Sequence, residues 1–416
     1  MAYIGKTPAS AALTSGDISD GIITSAKIAN GGVETVDIAD SNITAAKIAS
    51  GVIPSASKPF KNIIINGDMS IAQRGTSFTS NGYGLDRFVF DENSDAAVTV
   101  TQDSDVPSGQ GFAKSLKVDV TTADTSIAAN QSCGVTQYIE GQNLQYLKYG
   151  TSSAENLTLS FWVKSVKTGI YCVRFVKESG GQTRYETPIE YTVSQANTWE
   201  KKTITLSPTA GSTTLITNSA GAIVNSNAAG FRIMFTLAAG SNFHATNNTW
   251  VAGSDKFSTS NQVNFVDSTS NNFYITGIQL ETGTSASDFE FLPVDVNTTR
   301  CFRYYQKTFE YSQAPVDNAQ KFEYHSITPF SAGNMAGLIS YYSVVMRATP
   351  TVTVYTSGQS ANGTGKISFY QGSAWLNAAV TVQSGSTTKS VHLTGGSLSN
   401  IVLAQFNYEA SAELWL

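Results

Sequence analysis

The feature that most limits what this chain can fold into is its set of short apolar runs that alternate with period two and end at Gly, Asn or Ser. In Leu157-Thr-Leu-Ser-Phe-Trp-Val163 the odd positions are all apolar, and the even positions are polar apart from Trp162. Ala97–Thr101, Gly169–Val176, Lys202–Leu206, Phe231–Phe235 and Phe273–Leu280 follow the same rule or run apolar throughout, and Asn62-Ile-Ile-Ile-Asn66 opens the series. Successive side chains of a strand point to opposite faces, so this period predicts half-buried strands joined by tight turns. After residue 338 the pattern returns in Ile339–Met346, Thr351–Tyr355, Lys366–Tyr370, Ala379–Val382 and Asn400–Phe406.

Composition agrees with that pattern. Only 14% of the 416 residues are charged, against 41% hydrophobic and 11% aromatic. Surface helices need Glu, Lys and Arg on their wet face, and strands do not. One segment, Val296–Tyr305, reads as a short helix, with Asn297 or Thr298 able to cap it, and it separates the two strand-rich regions. The length allows two or three domains.

A different order governs the first residues. Ile18, Ile23, Ile28, Val33, Ile38, Ile43, Ile48 and Ile53 fall at every fifth position, mostly with a small residue two places earlier. Five fits neither a 3.6-residue helix nor a period-two strand, so the pattern points to a β-solenoid or fibrous stalk stabilised by association. A flexible low-complexity tail is the alternative, and the persistent Ile argues against it. Pro54 and Pro59 bound the segment. The expected architecture is therefore all-β. Residues 1–59 form a pentad-repeat stalk or docking segment, 60–295 an antiparallel sandwich and 296–416 a smaller C-terminal β-sandwich domain.

Several functions are not expected. The net charge of −5 offers no basic footprint for nucleic acid. Cys133, Cys172 and Cys301 are odd in number, far apart and without a nearby His, so they read as small buried hydrophobes in a chain made in a reducing cytoplasm. The start, Met1-Ala-Tyr-Ile-Gly-Lys-Thr-Pro8, is not a signal peptide, and no stretch approaches the roughly 20 apolar residues of a membrane span, so membrane insertion is not expected. His244, His325 and His392 are scattered, and no nucleophile elbow, P-loop or dinucleotide fingerprint is present. These readings predict no catalytic residues, no cofactor and no enzymatic activity.

Ordered blocks carry a resemblance. They run from Ile64-Ile-Asn-Gly-Asp-Met-Ser-Ile-Ala-Gln-Arg-Gly75 and Leu85-Asp-Arg-Phe88 through Leu159-Ser-Phe-Trp-Val-Lys-Ser165 and Asn197-Thr-Trp199. They close on Ile275-Thr-Gly-Ile-Gln-Leu-Glu-Thr-Gly283 and Arg300-Cys-Phe-Arg-Tyr-Tyr305. Together they resemble the jelly-roll, carbohydrate-binding-like modules of bacteriophage tail fibres. Met346-Arg-Ala-Thr-Pro350 and the Thr-Ala-Ala-Lys-Ile-Ala repeats are similar to segments of fibre and virion proteins. The resemblance implies a homotrimeric virion component assembled in the host cytoplasm. Its N-terminus, with Tyr3 and Ile4, would attach to other virion proteins, and its distal part would adhere to a host-surface glycan. A purely structural head decoration or capsid fibre, and a glycan-degrading tailspike, remain as alternatives; the chain departs from the tailspikes in lacking their long parallel β-helix.

The phase of Leu157–Val163 turns Trp162 away from the core, where an indole can stack on a sugar ring or be covered by a neighbouring domain or subunit. Arg174 and Tyr185 are candidates to share that face as ligand-binding residues, burial in a contact being the stronger reading for both. Trp199, opening a strand after a turn, is expected in the core. Asn66, Asp68, Gln279 and Glu281 could offer oxygens to calcium, although turn capping by Asp68 is the simpler reading and no metal is expected. The basic and aromatic cluster at Arg300, Arg303, Tyr304, Tyr305 and Lys307 is expected to serve an interdomain contact.

Overall fold

The computed structural model describes residues 60–79, 81–178, 183–253, 255–317, 323–326, 338–356, 364–371, 373–395 and 403–414. Tyr3, Ile4 and the pentad repeat lie outside the described residues.

Ten strands build a sandwich: β1 (Val89–Glu92), β2 (Ala97–Asp103), β3 (Ser115–Thr122), β4 (Ser132–Glu140), β5 (Leu157–Ser165), β6 (Gly169–Lys177), β7 (Tyr185–Val193), β8 (Glu200–Leu206), β9 (Ala229–Ala239) and β10 (Asn272–Thr282). The front sheet runs β2-β3-β10-β5-β8 and the back sheet β7-β6-β9-β4-β1, with two-residue strands extending the edges. All neighbours are antiparallel. Counted from β3, the eight successive strands fall in the order 1-8-3-6 in one sheet and 2-7-4-5 in the other, changing sheet at every step but the β6–β7 hairpin, which is jelly-roll connectivity.

Alternation is what closes the core. Leu157, Leu159, Phe161 and Val163 of β5 are fully buried and meet Tyr171, Val173 and Phe175 of β6 and Phe231, Ile233 and Phe235 of β9. Phe161 sits between Phe235 and Tyr191, each edge-on at 5.0 Å. All three cysteines are buried thiols. A bulge breaks the β10 register between Thr276 and Gln279. Gly277 occupies it at φ 61°, with the Phe112 ring so close that a Cβ would stand 2.5 Å from it, so only glycine fits there.

Some expectations fail for local reasons. Asn62–Asn66 is not a strand, because the Asn62 side chain bonds Ile64 N–H, Leu280 N–H and Ile278 C=O and turns the chain across the end of β10. The helix α1 (Val294–Phe302) begins earlier than expected, with Pro293 at its N-cap and no side-chain cap. Asn297 is instead buried inside it, accepting from Asn66 N–H and donating to Asp68 and Ser70.

Beyond α1 lie β11 (Tyr305–Lys307), β12 (Glu323–Ser326), β13 (Leu338–Tyr341), β14 (Thr351–Thr356), β15 (Lys366–Gln371), β16 (Ala374–Val382), β17 (Ser390–Gly395) and β18 (Leu403–Ser411). The alternation predicts two facing sheets here. The strands instead join one sheet around β18, which pairs with β11, β12, β14 and β15. Its core holds Met346, Val354, Ile367, Phe369, Val391, Leu393, Phe406 and Tyr408.

A buried polar junction ties this sheet to the sandwich. Arg87 is 1% exposed and at φ 72°, where non-glycine residues are uncommon. It pairs with Glu413, donates to Tyr138 O at 2.7 Å and lies 3.5 Å from the Tyr304 ring centroid. Glu413 also takes Arg74 at 3.3 Å, and Arg347 donates to the carbonyls of Ala412 and Glu413.

Candidate functional site on the front sheet

The outer face of the front sheet gathers three aromatic rings and a network of charges. Trp162 is partly exposed between its cross-strand partners Lys201 of β8 and Thr276 of β10, while its neighbours Phe161 and Val163 face the core. Lys201 and Thr203 beside it are exposed. One position along, Tyr274 stands between Lys117 and Lys164. The Lys164 ammonium is 4.1 Å from the Tyr274 ring centroid and 5.5 Å from that of Trp199, and Lys117 is 5.4 Å from Tyr274. These cation–ring contacts cover Tyr274, which is only 8% exposed, by electrostatic attraction.

Trp199 is not in the core. The turn before β8 lays it against the outside of the sheet, edge-on to Tyr274 at 6.1 Å, with its indole N–H donating to Asp105 at 2.9 Å. Asp105 also pairs with Lys164. Burial pushes the Asp105 carboxyl up, and the hydrogen bonds from Lys164 and Trp199 more than reverse this, so it stays below its ordinary value. Sequence phase says nothing about a residue in a turn such as Trp199; Tyr274, out of phase with Phe273 and Ile275, was legible and was missed. Next to Thr276, Phe112 packs with Phe289 and Phe291, and Phe291 is half exposed.

Arg174 and Tyr185 do not share this face, because both belong to the back sheet. Tyr185 points inward and is buried in the sandwich core. Arg174 points outward but is covered by residues 255–257: its guanidinium lies 4.0 Å from the Phe257 ring centroid and pairs with Glu186 at 2.6 Å. Glu186 in turn accepts from the backbone N–H groups of Asp255 and Lys256. Burial lowers the Arg174 pKa to about 10. Strand phase fixes which side a residue takes within its own strand; it carries no information about which sheet that strand joins.

The oxygens considered for calcium are used by the protein. Asn66 accepts from Ile71 N–H, Asp68 from Ser70 and Asn297, and Glu281 from Gln279 and Ser287. Among the described residues no group of three His, Cys, Asp or Glu side chains is placed to hold a metal ion.

No protein-family profile matches the chain, and no curated protein does. Among solved structures it is similar to the enzymatically active domain of tailspike protein 4 of bacteriophage CBA120, at 15% identity and TM-score 0.30, over 54% of this chain and 22% of that one. It is also similar to the family 11 carbohydrate-binding module of a Clostridium thermocellum cellulosomal cellulase, at 12% identity and TM-score 0.25, over 51% of this chain and 98% of the module. A family 22 module of the same organism gives 12% identity and TM-score 0.24, over 52% and 97%.

Proposed function

We propose that this chain is a fibre protein of a bacteriophage particle that adheres to host-surface glycans through the front face of its sandwich. The observation that carries the reading is Trp162, partly exposed on a sheet face with Tyr274 and Trp199 beside it and exposed Lys201 and Thr203 at its rim. A pyranose ring has an apolar C–H face and a rim of hydroxyls. The indole would cover the first, while the ammonium and hydroxyl groups would bond the second. The fibre-like sequence blocks give the virion setting. Adhesion rather than cleavage is the proposed activity, and association into a homotrimer would multiply weak contacts into avidity.

The test is adsorption to host cells and binding to a glycan array, with wild type and Trp162→Ala compared. We expect Trp162→Ala to lose affinity. A pyranose covering about 60 Å² of indole is worth about 1.5 kcal/mol at about 25 cal/mol per Å², a little more than tenfold in Kd. Unchanged binding by a folded variant would refute the front-face site. Absence of any glycan binding by a protein that still enters particles would favour the structural alternative, and shortened glycan chains after incubation would favour the tailspike one.

A further inference from the structure

The basic and aromatic residues at 300–307 fall into two groups once their partners are named. Arg303 sends Nε and Nη2 to the two oxygens of Glu140 at 2.7 and 2.8 Å, and the Tyr304 hydroxyl joins them at 2.6 Å. Tyr305 donates to Glu409, and Lys307 gives its protons to the carbonyls of Gln73, Tyr311 and Gln313. Arg303, Tyr304 and Lys307 thus reach residues of the sandwich, while the Tyr305 hydroxyl bonds within the C-terminal sheet. Arg300 is the exception. Its guanidinium makes one hydrogen bond, Nη2 to Asn62 O at 3.3 Å, and among the described residues no carboxylate lies within ion-pair distance of it. Burial lowers its pKa. Arg300 is half-buried, feels the Glu290 carboxylate only from beyond ion-pair distance and bonds a single carbonyl, so it can still take an anion directly.

Arg300 borders a cavity of about 450 Å³ between the 60–65 segment, the turn Gly141–Leu147 and α1. That is within the size range of small-ligand sites. Two aromatic side chains of its wall remain open to solvent, Phe60 at 61% and Tyr146 at 50% exposure. The side chains of Gln142 and Asn143 also line it, both on exposed residues, with the Gln142 NH2 group already donating to Glu140 at 2.6 Å and its carbonyl oxygen left to accept. The cavity thus sets a single unpaired guanidinium beside aromatic faces and amide hydrogen-bonding groups.

We propose that this cavity is a second carbohydrate site, selective for a sugar that carries a carboxylate. The carboxylate would take the Arg300 fork, the ring would lie against Tyr146 and Phe60, and hydroxyls would bond Asn143 and Gln142. Guanidinium and carboxylate match in plane and spacing, so the pairing supplies direction as well as charge. A neutral sugar would leave Arg300 without an anion, which is the source of the selectivity. None of these residues belongs to the front face, so the two sites fail or stand separately.

Ligand-observed NMR titration of the full chain with the methyl glycosides of glucuronic, galacturonic and N-acetylneuraminic acid, beside methyl glucoside and methyl galactoside, tests the proposal. At least one acidic probe should bind about tenfold or more tighter than the neutral ones, since a hydrogen bond to a charged group is worth at least that factor. Arg300→Met should lose that margin, Tyr146→Ala should weaken the same probe, and Trp162→Ala should leave it unchanged. Failure of every acidic probe to bind, equal affinity for acidic and neutral probes, or wild-type affinity in Arg300→Met would overturn the proposal. Should Arg300→Met not fold, Tyr146→Ala, altered at an exposed position, decides instead: unchanged affinity there also overturns it.

Discussion

Replacing Glu413 by Gln probes the junction between the sandwich and the C-terminal sheet. The substitution keeps the shape and removes the charge. Glu413 is fully buried and is the carboxylate for two guanidiniums, Arg87 and Arg74. Both arginines are further fixed by rings, Arg87 over Tyr304 and Arg74 at 3.7 Å from the Tyr305 centroid, so neither can swing out to water without losing its stacking. Removing one partner of a buried pair strands the other, at about 3–5 kcal/mol. Against a net stability of about 5–15 kcal/mol that is a large fraction. At about 2–4 °C per kcal/mol the melting temperature should fall by about 6–20 °C. Calorimetry on Glu413→Gln, Arg87→Met and the double variant makes the measurement. The double should lose clearly less than the sum of the singles, because it leaves no stranded partner at that contact. A loss below about 1 kcal/mol in Glu413→Gln, or strict additivity, would refute the argument that this pair holds the two parts together.

Three further outcomes are expected. Phe161→Ala, which empties a fully buried site between Phe235 and Tyr191, should cost about 3–5 kcal/mol, whereas Trp162→Ala on the opposite side of the same strand should cost about 1 kcal/mol or less; comparable losses in chemical denaturation would contradict the assignment of the two faces. Burial raises the pKa of Tyr304 to about 12 and pushes Tyr149, Tyr171 and Tyr191 well up, so the folded state keeps protons that the unfolded chain gives up near pH 10. Their stabilisation is complete below about pH 10 and is lost as pH rises towards about 12, and a denaturation midpoint that stayed flat from pH 9 to 11.5 would speak against it. Light scattering of the full chain should give three times the mass of one chain, and a concentration-independent monomer would rule out the homotrimer.

The strand phases were the most legible part of the fold. The Leu157–Val163 alternation placed four core residues and Trp162 correctly because only one face of β5 is packed against the other sheet. β4 was not read from the sequence because its alternation of Cys133, Val135 and Ile139 is broken by Gln137 on the same phase and Tyr138 on the other. β7 was missed for another reason: Pro188 lies within it, tolerated because it pairs with Arg174 on one side and faces no continuous strand on the other. Of the site, Trp162 was legible from phase alone. Trp199 and the misplacement of Arg174 and Tyr185 were not, as they depend on how a turn folds back and on which sheet each strand enters. The Arg300 cavity depends on residues from three distant segments, and no local pattern announces it.

The position of β18 has a consequence in time. Four strands depend on it as their shared spine, and Glu413, just beyond it, closes the junction with Arg87. Arg87 and Glu413 are 326 residues apart, so at about 5–20 residues per second the ribosome delivers the second roughly 16–65 s after the first. The sandwich strands have all emerged by then. β11 ends at Lys307 and β18 begins 96 residues later at Leu403, so for about 5–19 s β11, and for less time β14 and β15, have no strand to pair with at their β18 edges, and open edges of this kind recruit other chains. In a cell making many copies at once, the C-terminal part is therefore one place where nascent chains are open to mispairing, and β3 of the sandwich, which waits from Thr122 to Asn272 for β10, is another.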